Sequence, residues 1–149
     1  DKSLFISYVD GEMFIDQRMI VFDIKKKYKY ENQVLFLALL NSILSMFFIE
    51  SFGFGRGQGA LDLRATKFKK DFKVLNISKL TPKQKESIIN SFQPIANRMR
   101  FPLEQEVKQP DRLNFEKVLF EAFGIFKHFE AIKSSLLHLY NIRFATKKE

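Results

Sequence analysis

The sequence predicts an α+β fold, in which a small β-sheet or hairpin packs on a central apolar helix and a helical C-terminal lobe follows. Three observations predict it. β-branched and aromatic residues dominate residues 4–9 and 13–24, residues 34–49 are almost continuously apolar, and apolar residues in the second half of the chain recur at helical spacing. We therefore expect an α/β part at residues 1–80 and a helical lobe at residues 81–149, packed together as one compact fragment.

The two N-terminal segments are predicted to pair as a β-hairpin. Asp10 and Gly11 lie between them, and an Asp-Gly pair between two such segments is a strong signal for a tight hairpin turn. Residues 25–30 then form a basic and aromatic connection to the central helix.

The central helix is predicted at residues 32–52. Asn32 is a suitable N-cap, and Gly53 stands where a residue with a left-handed backbone commonly ends a helix. The apolar run is 16 residues long and contains Asn41 and two serines, whereas a bilayer-spanning helix needs roughly 20 apolar residues. The sequence therefore favours a buried core helix, covered by the sheet on one side and by helices on the other, and no membrane partner.

A glycine-rich loop follows the central helix. It holds four of the six glycines in the chain: Gly53, Gly55, Gly57 and Gly59. Two interpretations are open: the loop is a flexible connection, or its glycines let the backbone approach a phosphate chain closely, with Arg56 beside it. A dinucleotide-binding fingerprint is rejected because that fingerprint follows a strand and opens a helix. Here a helix precedes the loop, and residues 60–74, predicted as a strand followed by an irregular basic segment, come after it.

The second half of the chain carries clear helix signals. Residues 81–84 (Thr-Pro-Lys-Gln) form a good helix start, and Pro94 is expected to kink or split the helix that follows. Asn114 is predicted to cap the next helix, and Gly124 to end it. The last helix is predicted from the apolar spacing over residues 129–144.

The composition excludes several classes of protein. A chain of 149 residues, 46% of them hydrophobic, is long and apolar enough for one folded domain. It has no cysteine, which excludes disulfides, cysteine-based zinc sites and thiol catalysis and fits a cytoplasmic protein. His128 and His138 are not spaced to share a metal ion, and Glu104 and Glu106 are predicted to be solvated. We therefore predict neither a catalytic residue nor a metal site.

A short basic segment is the strongest functional signal. The net charge of +8 points to a polyanionic partner. Five basic residues occur within ten positions: Arg64, Lys67, Lys69, Lys70 and Lys73. Phe68 and Phe72 lie among them. Two interpretations stay open: a solvated edge with two aromatic side chains turned inward, or a strip that follows a phosphate backbone.

Several motifs occur in a specific order along the chain. Residues 39–42 (Leu-Leu-Asn-Ser) follow residues 14–18 (Phe-Ile-Asp-Gln-Arg), and residues 60–63 (Ala-Leu-Asp-Leu) come after the glycine loop. Near the C-terminus, residues 111–115 (Asp-Arg-Leu-Asn-Phe) precede residues 120–125 (Phe-Glu-Ala-Phe-Gly-Ile). Over most of the chain this pattern resembles the C-terminal specificity part of adenine-specific DNA methyltransferases of bacterial restriction–modification systems.

The resemblance implies a target-recognition fragment rather than an enzyme. The glycine motif that binds S-adenosylmethionine and the Asn-Pro-Pro-Tyr motif that holds the flipped adenine do not occur in the sequence, and in that family both lie N-terminal to this region. We therefore expect a piece of a longer cytoplasmic methyltransferase, with or without a fused endonuclease. The piece itself is expected to hold no cofactor, and its partners are double-stranded DNA and the catalytic domain of the parent protein, which binds S-adenosylmethionine.

The predicted DNA-binding residues follow from the basic segment and the glycine loop: Arg56, Arg64, Lys67, Lys69 and Lys70. The four loop glycines are predicted to give the backbone its close approach to the phosphates. The alternative is a docking module, which binds the rest of the parent protein or a partner subunit without direct DNA contact. A basic face joining residues 53–73 to residues 25–29 favours DNA, and an exposed apolar face favours docking.

Overall fold

The computed structural model describes residues 2–12, 14, 20–22, 30–55 and 61–145. This part of the chain is mostly helical. Its helices and strands are α1 (Tyr30–Leu40), α2 (Ile43–Phe52), β1 (Phe54–Gly55), β2 (Leu61–Asp62), α3 (Ala65–Asp71), α4 (Pro82–Asn97), α5 (Leu103–Glu106), α6 (Pro110–Ala122) and α7 (Phe129–Ala145). Short 3₁₀ helices occupy Ile77–Lys79 and Phe126–His128.

The predicted α+β fold, with a sheet packed on a central helix, is wrong. β1 and β2 have two residues each and pair antiparallel, with Phe54 opposite Asp62. A ladder of this size cannot cover a helix. Residues 2–12 and 20–22 contain no strand, and most of the strand predicted at residues 13–24 lies outside the described residues.

Asn41 explains why the N-terminal segment needs no partner strand. Its side chain accepts a hydrogen bond from the Ile6 N–H at 2.8 Å and donates one to the Ile6 carbonyl at 2.9 Å. These are the two hydrogen bonds that a residue exchanges with its opposite number in an antiparallel ladder. Leu4 and Phe5 pack against the core. Leu4 and Phe5 are therefore half-buried against the helical core without a second strand, whereas Tyr8 and Val9 are exposed.

The predicted central helix is divided in two. Asn41 and Ser42 interrupt it, and the axes of α1 and α2 are bent by 57° relative to each other. The Ser42 hydroxyl caps α2 by accepting a hydrogen bond from the Ser45 N–H. Asn32, the predicted N-cap, lies inside α1. Among the described residues no single helix is long and apolar enough to cross a membrane, although α1 from Asn32 and α2 together reach that length and hydropathy as a bent pair.

Gly53 ends α2, but not with a left-handed backbone. Its φ is −73°, a value open to any residue. A Cβ atom at this position would lie 2.3 Å from the Leu61 Cδ1 atom. The glycine therefore serves the close approach of β2 to the end of α2.

The predicted start of α4 is confirmed. The Thr81 side chain accepts a hydrogen bond from the Gln84 N–H, and the Gln84 side chain accepts one from the Thr81 N–H, which completes a capping box. The helix continues through Pro94 to Asn97 and is not split.

The predicted start of α6 is five residues too late. The helix begins at Pro110, a residue well suited to the first helical position. Asn114 therefore lies inside α6, where it is exposed, and does not cap it. The predicted end is confirmed, because Gly124 follows α6 with a φ of +67°, a conformation that glycine adopts at little cost.

One core joins the two parts of the chain. α4 packs mainly against α6, α2 against α7, and α1 against α4. The fully buried apolar side chains include Leu35, Ile43, Met46, Ile88, Phe92, Phe115, Leu119 and Leu136. The apolar helices of the first part are thus central and packed against helices, as predicted, but in the described part of the chain no sheet covers their other side.

Candidate nucleic-acid interface

The basic segment is a short helix. Of the strand and irregular basic segment predicted for residues 60–74, the strand is present only at Leu61–Asp62, and α3 replaces the irregular backbone at residues 65–71. α3 begins after Arg64, and the Phe72 N–H donates to the Phe68 carbonyl at its C-terminus. Phe68 and Phe72 are four positions apart. This spacing places two side chains on the same side of a strand, and also on the same side of a helix. The spacing of these two residues therefore fits both structures.

Aromatic contacts hold one side of α3 against the core. Phe68 is 5% exposed, and its ring stacks on that of Phe72 with centroids 4.2 Å apart. Phe22 meets Phe68 edge-on at 5.8 Å, and Phe48 of α2 meets Phe72 edge-on at 6.3 Å. Such ring pairs are each worth about 0.5–1.5 kcal/mol beyond the area that they bury. The orientation of α3 is therefore set by its aromatic residues.

The solvent-exposed side of α3 is positively charged. Lys69 and Lys70 are exposed in its last turn, and Arg64 and Lys73 are exposed at its two ends. The Lys73 Nζ donates to the Lys70 carbonyl at 3.4 Å. Lys67 lies in α3 three residues before Lys70. Lysines in the last turn also interact favourably with the helix dipole, so this arrangement is stable with or without a polyanion.

The ladder of β1 and β2 closes the base of the glycine loop. Gly55 pairs with Leu61, so the two ends of the loop are neighbours, and Arg64 follows shortly after β2. The structure therefore brings Gly53, Gly55 and the basic helix into one region. The predicted contacts Arg56, Gly57 and Gly59 lie outside the described residues, as do residues 25–29.

Other polar side chains form no metal site in the ranges that the structure describes, where no three His, Asp or Glu side chains come together. His128 and His138 are exposed. Glu104 is exposed as predicted, but the prediction of a solvated Glu106 is wrong, because Glu106 is buried.

Glu106 belongs to a cluster of buried charges around Arg112, which is fully buried in α6. The Arg112 Nε donates to the Glu106 carboxylate at 2.9 Å, and its Nη1 donates to Glu116 at 3.2 Å. The same Nη1 donates to the Asn41 carbonyl at 2.7 Å. Sequence reasoning missed this cluster, although Arg112 and Glu116 stand at the i, i+4 spacing of a helical ion pair.

Arg98, at the end of α4, extends the cluster toward the surface. Its guanidinium donates to both oxygens of Glu106 at 2.9 Å and is also hydrogen-bonded to Asp111. Burial disfavours the ionised form of Glu106, but the hydrogen bonds from Arg98 and Arg112 outweigh this effect and hold the pKa of Glu106 below its usual value. The hydrogen bond from Arg98 likewise lowers the pKa of Asp111.

Glu116 connects the cluster to the corner between α1 and α2. Its Oε1 accepts a hydrogen bond from the Ile43 N–H, the first amide of α2, at 2.9 Å. Its Oε2 is buried and has no hydrogen-bond partner in the described part of the chain. Burial raises the pKa of Glu116 to about 7, against the opposing effects of Arg112 and the Ile43 N–H. Through Arg112 and Glu116 the cluster positions α6 against the corner between α1 and α2.

Comparison with known proteins returns no relative. No protein-family model, no curated protein and no solved structure matches the chain.

Proposed function

We propose that this chain binds double-stranded DNA through α3 and serves target recognition for an adenine-specific DNA methyltransferase of a restriction–modification system, in the cytoplasm. One observation carries the proposal: α3 separates an aromatic side, packed on the core, from a side with exposed lysines. An α-helix fits the major groove of B-DNA, and exposed lysines beside it neutralise phosphates.

The chain's own contribution to the reaction is positioning. Lys67, Lys69 and Lys70 bind phosphates, which sets the register of the protein on the duplex, and the two arginines Arg56 and Arg64 are the candidates for base edges. The catalytic domain of the parent protein supplies S-adenosylmethionine and the pocket for the flipped adenine. The purified chain alone transfers no methyl group.

The alternative, a docking module, is favoured by a different observation. Leu113 and Phe126 are 37% and 43% exposed and lie beside each other on the helical lobe. These apolar side chains are distant in sequence from α3, so the two functions can be tested separately.

The phosphate contacts are tested by replacing Lys67, Lys69 and Lys70 with alanine. Each phosphate contact adds about 0.9 to the slope of log affinity against log salt, so the triple variant is expected to flatten that slope by about 1.8 to 2.7. Folding is expected to survive, because surface lysines contribute little to stability. The measurement is fluorescence anisotropy with a labelled duplex across a salt series.

A matched control removes the same charge elsewhere. Lys79, Lys83 and Lys108 are all exposed, and their triple alanine variant is expected to leave the slope close to that of the wild type. Equal slopes for the α3 variant and the wild type, or a wild type that does not bind duplex DNA, would reject the proposal and favour the docking module.

A further inference from the structure

A preformed groove lies on the helical lobe between α6, the 3₁₀ helix Phe126–His128 and the start of α7. Its volume is about 460 Å³, and its lining residues are Leu113, Lys117, Phe126, Lys127, Phe129 and Glu130. The volume is in the range of ligand-binding pockets, about 300–1,000 Å³.

The aromatic floor of this groove is fixed. The Phe126 and Phe129 rings stack with centroids 5.9 Å apart and planes within 8°, and Phe129, which is 6% exposed, packs edge-on against Phe120 of the core. Because Phe129 is anchored, Phe126 has a rigid ring beneath it and presents its other face to solvent. A rigid apolar surface binds an anchor side chain with little loss of conformational entropy.

The rim of the groove is positively charged. Lys117 and Lys127 are exposed, and within the described ranges neither forms an ion pair or hydrogen bond through its side chain. Glu130, the acidic residue of the lining, is already paired with Lys133 at 2.7 Å. Two uncompensated cations beside an apolar floor are complementary to an acidic segment that carries an apolar anchor.

We propose that this groove binds a short acidic peptide segment of a partner protein, with one aromatic or aliphatic side chain seated on Phe126 and its carboxylates near Lys117 and Lys127. The proposal is independent of DNA binding by α3. The occupant is a peptide and not a duplex, because a phosphate backbone leaves the apolar floor exposed to water.

The probe is a fluorescein-labelled peptide, Glu-Glu-Leu-Phe-Asp-Glu, with Lys-Lys-Leu-Phe-Lys-Lys as the charge-reversed control. We expect saturable anisotropy for the acidic peptide and at least about tenfold weaker binding of the basic one. The double variant Lys117→Glu, Lys127→Glu is expected to weaken the acidic peptide by about tenfold as well. Its matched control is Lys79→Glu, Lys83→Glu, which is expected to bind as the wild type does.

Amide chemical shifts of the unmodified protein provide a second measurement that needs no variant. The acidic peptide is expected to shift amides between Leu113 and Glu130. Chemical-shift changes located elsewhere, or equal binding of the two peptides, would overturn the proposal. Displacement of the bound acidic peptide by oligothymidine would also overturn it. Duplex binding is expected to keep its salt slope in the Lys117→Glu, Lys127→Glu variant. A flattened slope would assign these lysines to the DNA surface and also overturn it.

Discussion

Replacing Arg112 with methionine is expected to lower the free energy of unfolding by about 3–5 kcal/mol, the usual cost of removing one partner of a buried ion pair. Methionine fills much of the same space but donates no hydrogen bond. Glu106 and Glu116 therefore lose their buried donor, and so does the Asn41 carbonyl. Urea unfolding followed by circular dichroism, extrapolated linearly to water, measures the loss.

Lys117→Met is the matched control on the same helix. Lys117 is exposed, so its replacement is expected to change stability by less than about 0.5 kcal/mol. Adding Glu116→Gln to Arg112→Met is expected to recover part of the loss, because it removes one of the two carboxylates left without the arginine. A loss below about 1 kcal/mol for Arg112→Met would contradict a closed cluster.

Through Glu116 alone, the stability of the protein is expected to fall as the pH rises from about 4.5 to about 7, by as much as about 3 kcal/mol. The pKa of this carboxyl rises from its ordinary value of 4.5 to about 7 on folding, because of burial. Between these values the folded protein holds a proton that the unfolded chain has released. The contribution is therefore complete below about pH 4.5 and lost above about pH 7.

Glu106 and Asp111 act in the opposite direction. Their pKa values are lowered in the folded protein, so they stabilise it above the ordinary carboxyl pKa and lose that contribution as the pH falls. These two residues and Glu116 therefore change the stability in opposite directions as the pH rises.

The variant Glu116→Gln isolates the Glu116 contribution. Glutamine can accept the hydrogen bond from the Ile43 N–H but does not titrate. The difference between the wild-type and variant unfolding free energies is expected to decline with rising pH over the stated range. A difference that stays constant with pH would show that Glu116 is ionised throughout, paired with Arg112.

Local signals predicted the parts of the fold that local contacts determine. The capping box at residues 81–84 and the stop at Gly124 depend on neighbouring residues, and both are where the sequence places them. The hairpin prediction failed because β-branched and aromatic residues indicate burial of side chains as well as pairing of strands. The hydrogen bonds of the Ile6 backbone are made by the side chain of Asn41, 35 residues away. The prediction for the residues of α3 failed for a related reason. The spacing of Phe68 and Phe72 fits both a strand and a helix, and the helix is favoured by ring contacts with Phe22 and Phe48, which are distant in sequence.

The residues of the candidate site and of the buried cluster divide in the same way. The exposed lysines of α3 were evident from charge alone, because exposure is the ordinary state of lysine. The buried ion pair of Arg112 and Glu116 was not evident, since the i, i+4 spacing is typical of surface pairs. Its burial depends on Asn41 and Ile43, which are 71 and 73 residues away.

The bond between Glu116 and Ile43 has a consequence for hydrogen exchange. The first amide of a helix lacks an intrahelical acceptor and ordinarily exchanges with solvent as fast as a frayed end. The Ile43 N–H instead donates to a fully buried carboxylate on α6. The protection of the Ile43 amide from exchange therefore measures how often α6 separates from the α1–α2 corner. This one amide reports whether the two parts of the chain open as separate units or as one.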